Sequence, residues 1–348
     1  MEPGTGSRRR RILARAALLL GLLLLVAAPI LRFWVTPLLA QSPRLPGGGG
    51  FVTATSTGTL TALFDLEDPA GTPAVVTPIP ITRTVTTRGD AAATQAAEAQ
   101  GSNVAVTDSV DRVVTDDGRL VAETQFRLAA DRHTQALLDC CGVQVSGTTV
   151  PMAGAGSPLR LPWFTPQATY PYFDPTLLTA VDLAPIGTDR VGDADALKFQ
   201  QATAPTAVGT VQVPGRLVGS ERPFVTLTRA HAVTRTLWVE PTTGIILRSA
   251  ERIRDTLRDD AGRDVVTLAT MTLASTPAAE AAAVATARAQ AQPVLWAHAY
   301  GPALCVAASV LLLLLGIVLV VREVRAARVE QDFPDEWATF DDLKEAFD

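Results

Sequence analysis

The chain has 348 residues, 47% hydrophobic and 19% charged, with a formal net charge of −5 at pH 7. About −4 of that falls between residues 32 and 321, spread thinly and without a basic patch, which excludes nucleic acid as a partner. The few His and Cys residues show no metal-ligand spacing, so neither a metal nor a cofactor is expected.

Residues 1–11 form a basic N-terminus, with Arg8 to Arg11 leading into an apolar run. Ala16 to Leu31 carry no charge and are followed by Arg32, Phe33 and Trp34. This layout fits a cleaved signal peptide or an uncleaved anchor. The anchor over 12–35 is favoured. Leu38 stands where a signal-peptide cleavage site wants a small residue, and Phe33 with Trp34 suits an interfacial aromatic belt. Residues 36–50 end in four consecutive glycines and read as a flexible linker.

From Phe51 to Thr276 the pattern is β. Short Thr- and Val-rich runs at 51–66, 74–90, 103–114 and 119–130 alternate with Gly, Pro and Asp turns. Asp116-Asp117-Gly118 is a hairpin signal, and 91–102 reads as a loop or brief helix. Residues 234–275 hold three long strands separated by Pro241-Thr242-Thr243-Gly244 and Asp259-Asp260-Ala261-Gly262, an antiparallel meander.

Between these β regions lies an irregular, Pro-rich segment, 140–176. It opens on Cys140 and Cys141 and carries Trp163, Phe164, Tyr170, Tyr172 and Phe173. Two readings of the rings stay open: core anchors over a sheet edge, or the lining of a ligand entrance beside an apolar cavity. Adjacent cysteines outside the cytoplasm are expected to be oxidised, closing on each other or on another molecule. His133, His231 and His298 are isolated and read as surface residues; with no nucleophile elbow or phosphate loop, a non-enzyme is expected.

Residues 277–297 are a juxtamembrane helix by propensity. A second span over 298–321 follows, within 33 residues, Ala289 to Val321, that contain no Asp, Glu, Lys or Arg. Arg322, Arg325 and Arg328 place the C-terminus in the cytoplasm by the positive-inside tendency. The chain is thus expected in the cell membrane, with both termini cytoplasmic and the main domain outside. In the acidic tail, 322–348, Phe333, Trp337, Phe340, Leu343 and Phe347 recur at helical spacing and suit a cytoplasmic protein groove.

The succession of an Arg-flanked anchor, CCG at Cys140–Gly142, YPYFD at Tyr170–Asp174, VGTVQVPG at Val208–Gly215 and RTLWVEPTTG at Arg235–Gly244, then a final span, resembles an actinobacterial two-span membrane family labelled porin PorA-type. The resemblance implies a location and an architecture without catalytic residues. The expected fold is mainly β: a large exported antiparallel sheet domain held between an N-terminal and a C-terminal transmembrane helix. The expected function is binding of an envelope lipid or glycolipid by that domain. The alternatives are a structural or signalling protein acting through the tail helix, and a pore component.

Overall fold

The computed structural model describes residues 5–44, 51–62 and 78–332, and it divides into a helical unit within 1–39 and 293–348 and a β unit within 40–292. The tail aromatics Phe333, Trp337, Phe340, Leu343 and Phe347 lie outside the described residues, as do the four glycines of the linker.

In the helical unit, α1 (Thr5–Ile30), a π-helical turn (Leu31–Val35) and the short α2 (Thr36–Leu39) run against α5 (Gly301–Asp332). The apolar run leaves most Leu and Val side chains exposed, as a lipid-facing helix requires, while small residues form the contact seam. Ala14, Gly21 and Ala28 recur every seven residues on α1, and Ser309 and Gly316 do so on α5; all are buried. Seven-residue spacing keeps one stripe facing its partner along a helix pair. Ser309 Oγ donates to Gly21 O at 2.7 Å, so the seam includes an interhelical hydrogen bond.

The pairing is antiparallel. Arg11 meets Glu323 at one end, and Arg32 Nη1 donates to His298 O at the other. Arg10, Arg11, Arg322 and Arg325 therefore share one end of the hairpin. Exposed Phe33 and Trp34 and exposed Trp296 and Tyr300 share the other, on two facing π-helical turns. A Cβ on Gly316 would sit 2.6 Å from Leu18 Cγ and 3.3 Å from Ala14 O. Gly316→Leu is therefore expected to part the helices and lengthen the distance between spin labels at Leu25 and Leu311; an unchanged distance would contradict this seam.

Among the described residues, the β unit is one antiparallel sheet of twelve strands. They are β1 (Phe51–Ala62), β2 (Ile79–Gly89), β3 (Val104–Thr115), β4 (Leu120–Asp131), β5 (Gln144–Val145), β6 (Tyr170–Asp174), β7 (Thr179–Val191), β8 (Ala194–Ala202), β9 (Thr206–Pro214), β10 (Phe224–Val239), β11 (Ile246–Arg258) and β12 (Asp264–Ser275). The order is β5-β4-β3-β2-β1-β12-β11-β10-β8-β7-β6. β9 pairs the first half of β10 and β8 the second. Residues 91–102 form a helix, α3 (Ala91–Ala99): Asp90 caps it by accepting from Ala93 N at 2.9 Å, and Thr94 Oγ1 accepts from Val106 N to tie it to β3. The helix α4 (Pro277–Leu295) packs Ala283, Val284 and Ala287 on Trp238 and Leu247.

The sheet is curled. In a flat sheet β2 and β11, three strand spacings apart, would lie about 14 Å from each other, yet Arg83 Nη1 on β2 reaches Glu251 Oε1 on β11 at 2.9 Å. The segment returning from β4 also bridges the two edge strands. Leu138 N bonds to Ala129 O of β4, Leu137 N to Ala155 O, and Phe173 N of β6 to Gly156 O. A path of backbone hydrogen bonds thus closes the ring at this level, joining β4 to β6 through the returning segment.

Part of the expected linker is fixed. Residues 36–39 are helical, Ser42 N donates to Arg132 O and Arg132 Nε to Ser42 O, both at 2.7 Å, and Ala40 O contacts His133 Nδ1. The physical reason is that the paired backbone groups of Ser42 complete the polar needs of a buried arginine.

Candidate functional site

Alternation along the strands places every second residue on the inner face. On β10 these are Arg229, His231, Val233, Arg235 and Leu237, and their neighbours on β11 include Asp255 and Glu251. The inside is layered. Leu257, Val213 and Leu227 fill one level, and Leu183, Phe199, Leu237 and Val239 fill another. Between them lie two ionised layers.

The larger layer links Asp111, Arg83, Glu251, Arg235 and Asp174. Arg83 makes a two-pronged contact with Asp111, at 2.8 and 2.5 Å, and pairs with Glu251. Arg235 Nε lies 3.2 Å from Glu251, and its Nη1 donates to Gln201 Oε1 at 2.8 Å and Asp174 Oδ2 at 3.4 Å. The Tyr172 ring lies 5.2 Å from the Arg235 guanidinium. Burial alone would raise the Glu251 carboxyl; Arg235 and Arg83 outweigh it and hold it at about 2. Burial would likewise lower Arg83 and Arg235, and their carboxylate partners, Glu251 first, raise both instead.

The second layer corrects the surface reading of His231. The residue is buried, its Nδ1 lies 2.7 Å from Asp255 Oδ1, and Arg229 Nη2 donates to Asp255 Oδ2 at 2.6 Å. The hydrogen bond to His231 and the Arg229 charge overcome the burial penalty and lower the Asp255 carboxyl. His133 does occupy the expected turn, where Asp131 Oδ1 accepts from His133 N and Thr134 N.

The aromatic segment divides between core and cleft. Phe173 is fully buried among Phe126, Leu128 and Met152. Tyr172 is buried beside Leu161 and Phe199, and Tyr170 packs edge-on against Phe199 with ring centres 5.7 Å apart. Phe164 is held in left-handed backbone at φ 53°, its N–H bonded to Thr242 O. Cys140 and Cys141 form a vicinal disulfide; Cys141 O accepts from Arg127 Nε at 2.9 Å, and both residues pack on the same cluster as Phe173.

Tyr170 and Tyr172 do line a cleft, with Thr134, Gln135, Ser157 and Arg160 among the opposing residues, and its volume is about 110 Å³. Binding cavities for drug-sized ligands run from roughly 300 Å³ upward. The cleft is therefore sized for a small group and not for a long chain. Trp163 stands behind it, buried, with the Arg160 guanidinium stacked 4.4 Å from its ring centre. Arg160 itself had no signal in the sequence, because a lone arginine in a Pro-rich loop has the look of any solvated residue.

Arg160 is held from two sides. Its Nε donates to Thr243 O at 2.7 Å and its Nη1 to Gln290 Oε1 of α4 at 3.0 Å. The loop that offers Thr243 O is fixed by Glu240, whose carboxylate accepts from Thr242 N, Thr243 N and Thr243 Oγ1. Gly244, at φ 73°, lets the Leu161 carbonyl approach to where a Cβ would sit 2.1 Å away. Burial lowers the Arg160 guanidinium to about 10, so it stays protonated at neutral pH.

Two helices long and apolar enough to cross a bilayer, joined to a curled β-sheet domain with an ionised interior, define a membrane protein with a large non-helical domain. The chain belongs to the porin PorA family, whose model matches residues 13–318. A comparison with curated proteins gives no match.

Proposed function

We propose that the protein is a membrane-anchored binding module of the cell envelope that holds an envelope lipid or glycolipid by its head group. The observation that carries this reading is the cleft between β6 and the loop returning from β4, walled by Tyr170 and Tyr172. Rigid rings beside a few fixed polar groups suit the recognition of a small polar group. The hairpin supports an uncleaved anchor, since α1 contributes half of the small-residue seam. Arginines gathered at one end of the hairpin and aromatic residues at the other support cytoplasmic termini and an extracytoplasmic β domain.

A pore component needs a lumen. The inner face of this sheet is instead occupied by buried side chains, Phe199, Leu237, Ile81 and the ion layers among them. Its outer face is no better suited to lipid: Thr53, Thr55 and Thr57 lie opposite Thr86, Thr84 and Thr82 across β1 and β2. Strands that cross a bilayer carry apolar residues outward.

The test is native mass spectrometry, with lipid extraction, of the full chain purified in mild detergent from its own membrane. The expected result is one lipid per chain, with occupancy falling about tenfold in Tyr170→Ala. A wild-type chain that carries no lipid while its fold is intact would overturn this reading.

A further inference from the structure

We propose that the cleft takes a small oxyanion, a phosphate or carboxylate group, with the Arg160 guanidinium as its principal contact. This rests on reading the cleft as a ligand site and names the chemistry of what enters it.

Most buried or half-buried arginines of the β unit face a carboxylate: Arg83 faces Asp111 and Glu251, Arg235 faces Glu251, Arg229 faces Asp255 and Arg127 faces Asp90. Arg132 and Arg160 are buried without such a pair. Arg132 has its neutral acceptors in Ser42 O and Asn103 Oδ1, and no buried nitrogen of its side chain is left over. Arg160 differs: it is 91% buried, it has only neutral acceptors, and its Nη2 has none. Glu240 attracts it from a distance, but the oxygens of that carboxylate are committed to the turn. A buried cation without an anionic partner is costly, and a hydrogen-bonding anion removes the cost.

The rest of the lining has the matching polarity. Among the described residues, no Asp or Glu contributes to it. The tyrosine hydroxyls are spent on backbone carbonyls, Tyr170 on Pro166 O and Tyr172 on Pro158 O. Ser157 Oγ accepts from Leu159 N and keeps its own proton for an acceptor. Arg160 Nη2 and the Ser157 hydroxyl are thus donors without an acceptor among the described residues, which suits a guest that accepts hydrogen bonds. A volume of about 110 Å³ equals the room of three or four waters, enough for one oxyanion and too little for a chain. Guanidinium is the side chain best matched to such a group, through parallel N–H donors.

The experiment is calorimetric titration of the full chain, in a nonionic detergent at low ionic strength, with inorganic phosphate and separately with a short-chain phosphatidic acid. Wild type is expected to bind phosphate saturably at one site, with affinity falling at least tenfold in Arg160→Gln and severalfold in Ser157→Ala, which removes one donor and little bulk. Phosphatidic acid binding more tightly than phosphate would identify a lipid head group as the source; phosphate binding with no gain from the lipid would identify a free anion. Absence of saturable binding of either, or equal binding by both variants, would overturn the proposal. Should Arg160→Gln fail to fold, Arg160→Lys and Ser157→Ala decide, since neither removes the buried charge. A co-purified lipid without any phosphate response would leave the lipid reading standing and sink the oxyanion; the reverse pattern would do the opposite.

Discussion

Glu251→Gln is expected to destabilise the β unit by roughly 3–5 kcal/mol, the range for breaking a buried ion pair by removing one partner. Two arginines, Arg83 and Arg235, would lose their shared anion, and neither side chain is exposed enough to recover it from water. The pH dependence has a definite sign. The Glu251 carboxyl is held at about 2 in the fold, against an ordinary value of 4.5. A depressed carboxyl contributes stability that is present above pH 4.5 and lost as pH falls toward 2, on the order of 3 kcal/mol. Urea unfolding of the full chain in detergent should show this loss in wild type and a flatter profile in Glu251→Gln. A variant within about 1 kcal/mol of wild type at pH 7, or an unchanged acid profile, would show that the ionised layer does not hold the sheet closed.

Gly58→Ala is the second large effect. Gly58 lies where β1 meets β12, and a Cβ there would fall 1.7 Å from Thr272 O and 3.0 Å from Leu273 Cα. Backbone cannot yield as a side-chain tip can, so the strands must separate, at about 3 kcal/mol or more. That joint, Ser56–Ala62 against Ala269–Ser275, brings the first β region of the chain to the last, and its loss opens the ring. The urea midpoint should drop sharply in Gly58→Ala and stay within about 0.5 kcal/mol of wild type in Thr57→Ala, an exposed neighbour. Equal midpoints would refute the close packing of these two strands.

Much of this architecture follows from local pattern. The meander was legible because three long alternating runs were punctuated by turns rich in Asp, Pro and Gly; β11 and β12 fall where those runs lie, while β10 begins ten residues earlier, at Phe224, than the run expected from 234. Gly58 was legible in principle, since a glycine inside a strand signals close backbone approach. The ionised interior was not. Arg83 and Glu251 meet only because the sheet curls, and no spacing rule connects strands that are neighbours in neither sequence nor hydrogen bonding. His231 was misread for a different reason: Asp255 lies directly opposite it on the adjacent strand β11, and that pairing depends on a strand register that the turn signal alone does not fix. Of the aromatic segment, the sequence could mark the density of rings but not their division, because successive residues such as Tyr172 and Phe173 point to opposite faces and only one face meets the cleft.

This porin-family chain carries a filled, ion-layered β domain, and the role proposed for it is binding and not conduction. Single-channel recording on the purified full chain in planar bilayers tests it most directly. No stepwise current is expected at any voltage the bilayer withstands, in wild type and in Tyr170→Ala alike. Discrete conductance steps whose ion selectivity changes in Arg83→Gln or Arg235→Gln would contradict it, because they would require ions to pass through the interior that those arginines now fill.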